Sequence, residues 1–186
     1  IEPRLNLPAV HGYLNLGSVP SPMTMIEGVQ SLGPGCLLTL HNGEAHIRRY
    51  WDIVFEEDGA ITEREAIAGL RGHLLDAVRL RLASDVPLGA FLSGGIDSSA
   101  GVALMREAGV SNLRTFSLTF DDPALNEGPF ARLVAQRFET DHTEHRVTAQ
   151  EALGELDGFI AAMDQPSIDG LNTYCVSKLT RSSGTV

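Results

Sequence analysis

The order of apolar and polar positions changes character near residue 60. Before it, apolar residues come in short runs broken by Pro and Gly: Val19-Pro20-Ser21-Pro22, Leu32-Gly33-Pro34-Gly35, Cys36 to Leu40 and His46 to Trp51. Runs bounded in this way predict short antiparallel strands, one pair turning at Asn42-Gly43, where both residues tolerate positive φ. From Thr62 the spacing becomes helical. Thr62 stands as N-cap, Glu65 follows three residues on, and Ile67, Leu70, Leu74 and Val78 fall on one stripe. The boundary is placed at Glu56 to Gly59, giving a first part over 1–57 and a second over 58–186.

The second part alternates between two periods. Val86 to Leu92 reads as a short buried strand, Ser98 to Ala108 as a helix, and Leu113 to Phe120 as a second strand. Asn126 caps a helix with Phe130, Val134 and Phe138 on one face; His142 to Val147 makes a third strand. Thr148 and Glu151 form a further capping box ahead of Leu153, Leu156, Ile160 and Met163. A last helix over 171–181 stops near Gly184, a good residue just past a helix end. Strands and helices alternating with short links predict an α/β fold, a parallel sheet flanked by helices. The chain shows no internal repeat and no low-complexity stretch.

Composition narrows the classes. With 43% hydrophobic and 20% charged residues in 186, the chain can bury a core of one domain and an appended piece. A net charge of −10 argues against a duplex-binding surface, so no nucleic acid is expected as partner. Any anion must be held by local backbone N–H groups and a metal rather than by bulk charge. Cys36 and Cys175 lie far apart and read as reduced thiols of a cytoplasmic protein. No run reaches the length of a membrane span and no signal peptide opens the chain. It begins at Ile1 and closes in mid-pattern at Val186, as expected of a segment of something longer.

One loop carries chemistry. The strand ending at Leu92 runs into Ser93-Gly94-Gly95-Ile96-Asp97-Ser98-Ser99 and then a helix. A buried strand delivers the loop to the carboxyl end of the sheet, where open α/β folds bind ligands. Gly94 and Gly95 let the backbone approach an anion, and the helix start offers unpaired N–H groups at its positive end. The hydroxyls of Ser93, Ser98 and Ser99 add donors, and Asp97 suits the Mg²⁺ that accompanies ATP. Other phosphate and nucleophile motifs fail on named residues. There is no Gly-Lys-Ser/Thr, position 91 is Phe where a nucleophile elbow needs Gly, and Gly-x-Gly-x-x-Gly is absent.

This loop resembles the Ser-Gly-Gly-x-Asp-Ser-Ser signature of the ATP pyrophosphatase (PP-loop) superfamily. The longer string from Asp85-Val86-Pro87-Leu88-Gly89 into the loop is similar to the glutamine-hydrolysing asparagine synthetase family in particular. Further matches run in family order: Val19 to Pro22, Gly28-Val29, Leu32, Pro34-Gly35, Arg49 to Asp52, and Asp164 to Ser167 leading into Asn172-Thr173-Tyr174. The resemblance implies an adenine nucleotide alpha hydrolase-like fold preceded by the tail of a glutaminase domain. It implies adenylation of a small carboxylate, aspartate in the namesake, with release of pyrophosphate. Glutamine-derived ammonia then displaces AMP. ATP and Mg²⁺ are the implied cofactors, no membrane is involved, and the whole enzyme is compatible with a homodimer.

By the same resemblance the nucleotide contacts are Leu92, Ser93, Gly94, Gly95, Asp97, Ser98, Ser99 and Leu118. Leu118 also reads simply as core of its strand, and Asp164 as either a turn residue or part of a substrate pocket. The family's N-terminal cysteine nucleophile, its second glycine-rich loop with an essential acid, and a downstream lysine find no match in these residues. The piece by itself is therefore expected to be inactive, and no catalytic residue is assigned. Where the best-known members carry threonines and an arginine after the matching Asp, this chain has Gln165-Pro166-Ser167-Ile168-Asp169, which leaves another acceptor open. The remaining alternative is a nucleotide-binding module without catalysis.

Other polar residues read as ordinary structure. His142 and His145, three apart near a strand, suit surface positions better than metal ligation. Asp121 and Asp122 precede Pro123 as in a turn, and Glu127 complements a helix dipole. Lys178 and Arg181 do the same at a helix end. Cys175 sits on the apolar side of its helix and reads as core.

Overall fold

A computed structural model describes residues 2–55, 59 and 61–185 of the chain. The described chain divides into two compact units: Ile1–Gly59 with Ala161–Gly170, and Ala60–Ile160 with Leu171–Val186. Of the expected boundary at Glu56 to Gly59, residues 56–58 lie outside the described residues. No described helix is long and apolar enough to cross a membrane.

The first unit opens with a helix the strand reading passed over, α1 (Leu7–Leu16). Its signals are local: Pro8 in the first turn, where a missing N–H costs nothing, and Gly17 after it in the left-handed conformation, φ 72°. Gly17 N–H closes the helix on Tyr13 O at 2.8 Å. The expected hairpin follows as β1 (Cys36–His41) and β2 (Glu44–Arg49), paired antiparallel from Cys36–Arg49 to His41–Glu44. Asn42 and Gly43 make its turn with φ of 50° and 84°. The stretch 161–170 joins this unit through two hydrogen bonds and a β-bridge. Ile168 N–H donates to Gly17 O at 3.0 Å, Met25 N–H to Gln165 Oε1 at 3.1 Å, and Ser18 bridges Ser167.

The second unit is the expected α/β body. Its strands are β3 (Gly89–Phe91), β4 (Arg114–Phe120) and β5 (Asp141–Val147), all parallel, with β4 central. Helices α2 (Glu63–Arg81), α3 (Ile96–Glu107), α4 (Gly128–Arg137), α5 (Ala149–Ala162) and α6 (Leu171–Ser182) accompany them. The core gathers Leu92, Val102, Leu113, Ala131 and Ala135, with Met105, Val134 and Phe138 packed against it. Burying each of the larger side chains among these, Leu, Val, Met and Phe, stabilises by roughly 1.5–3 kcal/mol.

Local expectations fared unevenly. The Thr62 capping box is complete: Glu65 N–H reaches Thr62 Oγ1 at 3.3 Å and Thr62 N–H reaches Glu65 Oε2 at 2.9 Å. The box before α5 is only half made. Glu151 N–H donates to Thr148 Oγ1 at 3.2 Å, but the Glu151 carboxylate turns to His145 Nε2 at 2.6 Å. β3 is shorter than the apolar run, because Ser84 Oγ bonds both polar backbone groups of Val86 in a turn and Pro87 has no N–H for a ladder. On α4 the buried face is Ala131 and Ala135 rather than Phe130, which is 61% exposed. The stripe of α2 has the expected period, yet Ile67 and Leu70 are each 60% exposed. The helix meets α3 instead through Arg71 and Glu107, 2.6 Å apart.

Candidate functional site

The loop forms where β3 hands over to α3. Leu92, only 1% exposed, anchors its entry: its N–H donates to Phe116 O at 2.8 Å, and the buried Ser117 hydroxyl donates to its carbonyl. Gly94 then turns with φ 85°, and a Cβ there would lie 2.6 Å from both Ala131 N and Phe130 Cβ. Position 94 therefore demands glycine twice over, by conformation and by its approach to the first turn of α4. Gly95 has ordinary φ of −67° and serves as the N-cap of α3.

The serines fold back on this turn. Ser93 Oγ lies 3.0 Å from Ser98 Oγ, Gly95 N–H donates to Ser93 Oγ at 3.3 Å, and Ser98 Oγ donates to Gly95 O at 3.2 Å. A glycine N-cap supplies no side-chain acceptor, and the first intrahelical bond is Ser99 N–H to Gly95 O at 3.0 Å. The N–H groups ahead of it, with the exposed Asp97 among them, point out of the helix start. Donors concentrated at the positive end of a helix dipole suit an anion.

Beside the loop lies a cavity of 180 Å³ over the carboxyl ends of β3 and β4. Leu92, Phe116 and Leu118 supply apolar wall, Ser93 joins the cavity to the loop, and Val176 closes it from α6. Glu127, Asn172 and Thr173 add a polar edge. Leu92, Ser93 and Leu118 are thus brought to one place. Asp164 is not among them: its stretch packs with the first unit, as described above.

The sequence reading missed the polar edge. Glu127 opens α4 at its N-cap, as expected, and its side chain also lines the cavity; the cap hydrogen bond itself comes from Asn126, whose Oδ1 accepts the Gly128 N–H at 3.0 Å. Asn126 next to a helix start was the signal that the cap was already supplied. Asn172 and Thr173 carried no local sign, since only the tertiary fold sets the first turn of α6 beside β4.

The histidines require a correction. His142 is half-buried rather than on the surface, with Nδ1 2.8 Å from Thr115 Oγ1 and no partner for its buried Nε2 among the described residues. Burial lowers its pKa below the usual value, and the Glu144 carboxylate opposes that only in part. His145 leans the other way from the same strand, as period-2 alternation requires. It holds Glu151 below the ordinary carboxylate range by a hydrogen bond. Among the described residues, no group of three or more His, Cys, Asp or Glu side chains converges as a metal cage. Cys175 is a half-buried free thiol, pushed up in pKa by burial, and Cys36 is also free.

Fold and loop together define an α/β protein with a glycine-turned strand–loop–helix at the carboxyl edge of a parallel sheet. Residues 69–186 match the asparagine synthase family model, and the chain belongs to that family. It is 33% identical to a putative glutamine-hydrolysing asparagine synthetase 2 of Methanocaldococcus jannaschii, over 98% of this chain and 36% of the relative. It is 30% identical to asparagine synthetase 1 of Bacillus subtilis, over 96% of the chain and 28% of the relative. An amidase, chyE, of Penicillium rubens is 28% identical over 87% of the chain and 27% of its own length. The chain spans about a third of the length of these relatives. Among solved structures, an NH3-dependent NAD synthetase from Campylobacter jejuni aligns with TM-score 0.42 and 16% identity, covering 63% of this chain and 53% of that one.

Proposed function

We propose that the chain is the nucleotide-holding part of an ATP-dependent amide-forming ligase of the glutamine-hydrolysing asparagine synthetase type. The observation that carries this reading is the Gly94 turn, pinned against α4, which leaves the open amides of α3 facing outward. The site residues are Ser93, Gly94, Gly95, Asp97, Ser98 and Ser99 for the phosphates, with Leu92 and Leu118 for the nucleoside. Residues 1–57 are read as the tail of a glutaminase domain, and 58–186 as the start of the synthetase domain.

In this reading the acceptor carboxylate, aspartate by preference, attacks the α-phosphorus of ATP. The bond to the bridging oxygen breaks and pyrophosphate leaves with that electron pair. Amides and hydroxyls fixed before the reaction stabilise the charge on the leaving group without reorganising, which is where such sites gain most. Glutamine-derived ammonia then displaces AMP to give the amide. Mg²⁺ fits the site as ATP carries it: it retains several waters and phosphate oxygens and needs one or two carboxylates, and Asp97 is the one the loop offers. When bound, it supplies neutralising charge to the phosphates. Asp164 is assigned to the surroundings of the acceptor.

A second reading, in which a different carboxylate is amidated, is favoured by Gln165-Pro166-Ser167-Ile168-Asp169 standing where the best-known members of the family carry threonines and an arginine. The test is pyrophosphate release from MgATP and glutamine with a panel of carboxylates, on the protein at the full length of its relatives. Aspartate-dependent release with asparagine as product supports the first reading. Release with another acid moves the substrate and keeps the mechanism. No release while ATP still binds favours a module that holds nucleotide without chemistry.

A further inference from the structure

The Glu127 carboxylate stands at the N-cap of α4 and lines the cavity beside the loop, yet makes no side-chain hydrogen bond or ion pair among the described residues. It makes no side-chain cap for α4, whose first amide is taken by Asn126 Oδ1. Its backbone does the helical work instead, the carbonyl accepting from Phe130 N–H at 3.0 Å and Ala131 N–H at 3.1 Å. Those two residues are the ones Gly94 packs against, so Glu127 stands one helical turn from the loop. A carboxylate in that place is an acceptor only. Facing phosphate oxygens directly it would repel them; facing hydroxyl donors it gains charge-assisted hydrogen bonds.

A nucleotide presents its groups in a fixed order of phosphate, ribose and base. With the phosphates at Ser93 to Ser99 and the base against the apolar wall of Leu92, Phe116 and Leu118, the donors next in line are the ribose hydroxyls. We propose that Glu127 accepts hydrogen bonds from the ribose hydroxyls of the bound nucleotide and makes the site select ribonucleotides over deoxyribonucleotides. The assignment rests on the nucleotide reading above. A carboxylate on a ribose diol is the same pairing used by dinucleotide-binding α/β folds, here supplied by a different element.

The test measures binding of ATP, 2′-deoxyATP and tripolyphosphate to the protein at the full length of its relatives, unaltered and as its Glu127→Gln and Glu127→Ala variants. Removing the 2′-hydroxyl is expected to weaken binding to the unaltered chain by about ten- to a hundredfold, the range for one hydrogen bond to a charged group. Glu127→Ala should bring ATP down to the level of 2′-deoxyATP and leave tripolyphosphate unchanged. Glu127→Gln, which keeps the shape, should fall between. Equal weakening of ATP and tripolyphosphate in the variants would assign the carboxylate to the phosphates or their metal and overturn the proposal. So would an unaltered chain that binds ATP and 2′-deoxyATP alike. If the unaltered chain binds neither ATP nor tripolyphosphate, the nucleotide reading itself fails and takes this one with it.

Discussion

A methyl group at position 94 has nowhere to go. Gly94 holds φ at 85°, and its ideal Cβ would stand 2.6 Å from Ala131 N, 2.6 Å from Phe130 Cβ and 2.8 Å from Phe130 C. Left-handed backbone costs an L-residue about 1–2 kcal/mol. Two of the three contacts are with backbone at the first turn of α4, which cannot swing aside as a flexible side chain could, so relief by a local shift adds about 1–3 kcal/mol. Gly94→Ala should therefore destabilise by about 2–5 kcal/mol and lower the melting temperature by about 4–20 °C in a chain of this size. Neighbouring Gly95 is the control. Its φ is ordinary, and a Cβ there would meet only Ser93 Oγ at 3.3 Å. Gly95→Ala should cost within about 1 kcal/mol, the scale of a changed N-cap. The assay is thermal melting by far-ultraviolet circular dichroism, paired with tripolyphosphate binding. Gly94→Ala should lose both stability and binding. Gly95→Ala should keep its melting point and lose affinity, because its methyl stands where an anion approaches. A Gly94→Ala chain that melts and binds like the parent would refute the argument that this turn is shaped by sterics.

Two further outcomes follow from the same structure. Arg106 donates to four backbone carbonyls, those of Phe138 at 2.6 Å, Val110 at 2.8 Å, Ser111 and Glu139, tying the end of α3 to the turn before β5. Arg106→Lys keeps the charge and loses the fork, and should cost about 2–4 kcal/mol in denaturant unfolding; a cost under about 0.5 kcal/mol would show the carbonyls rehydrate freely. Glu151 is held below its usual pKa of 4.5, chiefly by the His145 hydrogen bond, so its contribution is complete above about pH 4.5 and is lost as pH falls through the lower folded value. In melts taken from pH 6 to pH 3, His145→Gln should flatten that part of the acid slope, and an unchanged slope would assign it to other carboxylates.

What the sequence made legible was what depends on local chemistry. The Asn42-Gly43 turn, the Thr62–Glu65 box and the Gly184 stop each follow from one or two residues whose conformational needs are specific. The parallel order of β3, β4 and β5 followed from alternation, because short crossovers permit little else. The helix α1 was legible and overlooked: Pro8 and Gly17 bracket it, but the Pro and Gly farther along suggested strands throughout. Burial was the weakest inference. Periodicity showed that Ile67 and Leu70 share a helix face without showing what that face meets, and Phe130 shares a stripe with Val134 while pointing away from the core. Half a capping box went wrong for a related reason, since a carboxylate six residues from a histidine across a turn can choose the stronger partner.

The site is legible for a reason opposite to that of the core. In the core cluster apolar side chains pack together and the backbone of the sheet bonds itself, with His142 Nε2 the buried side-chain atom left without a partner among the described residues. Around the loop, preferences are left open. A glycine stands where a side-chain cap would stabilise α3, and Glu127 lines a cavity while Asn126 takes the capping role. Such departures cost stability, by roughly a few tenths of a kcal/mol for a glycine in place of a side-chain cap. A fold retains such costs together at one place when a ligand completes the bonding there, as phosphate would at the amides of α3 and hydroxyls at Glu127. The same reasoning ranks the candidates elsewhere. His145 and Glu151, or Lys178 and Glu155 at 2.6 Å, satisfy each other and leave a ligand nothing to complete. The open groups beside β3 and β4 are therefore where binding free energy is to be found.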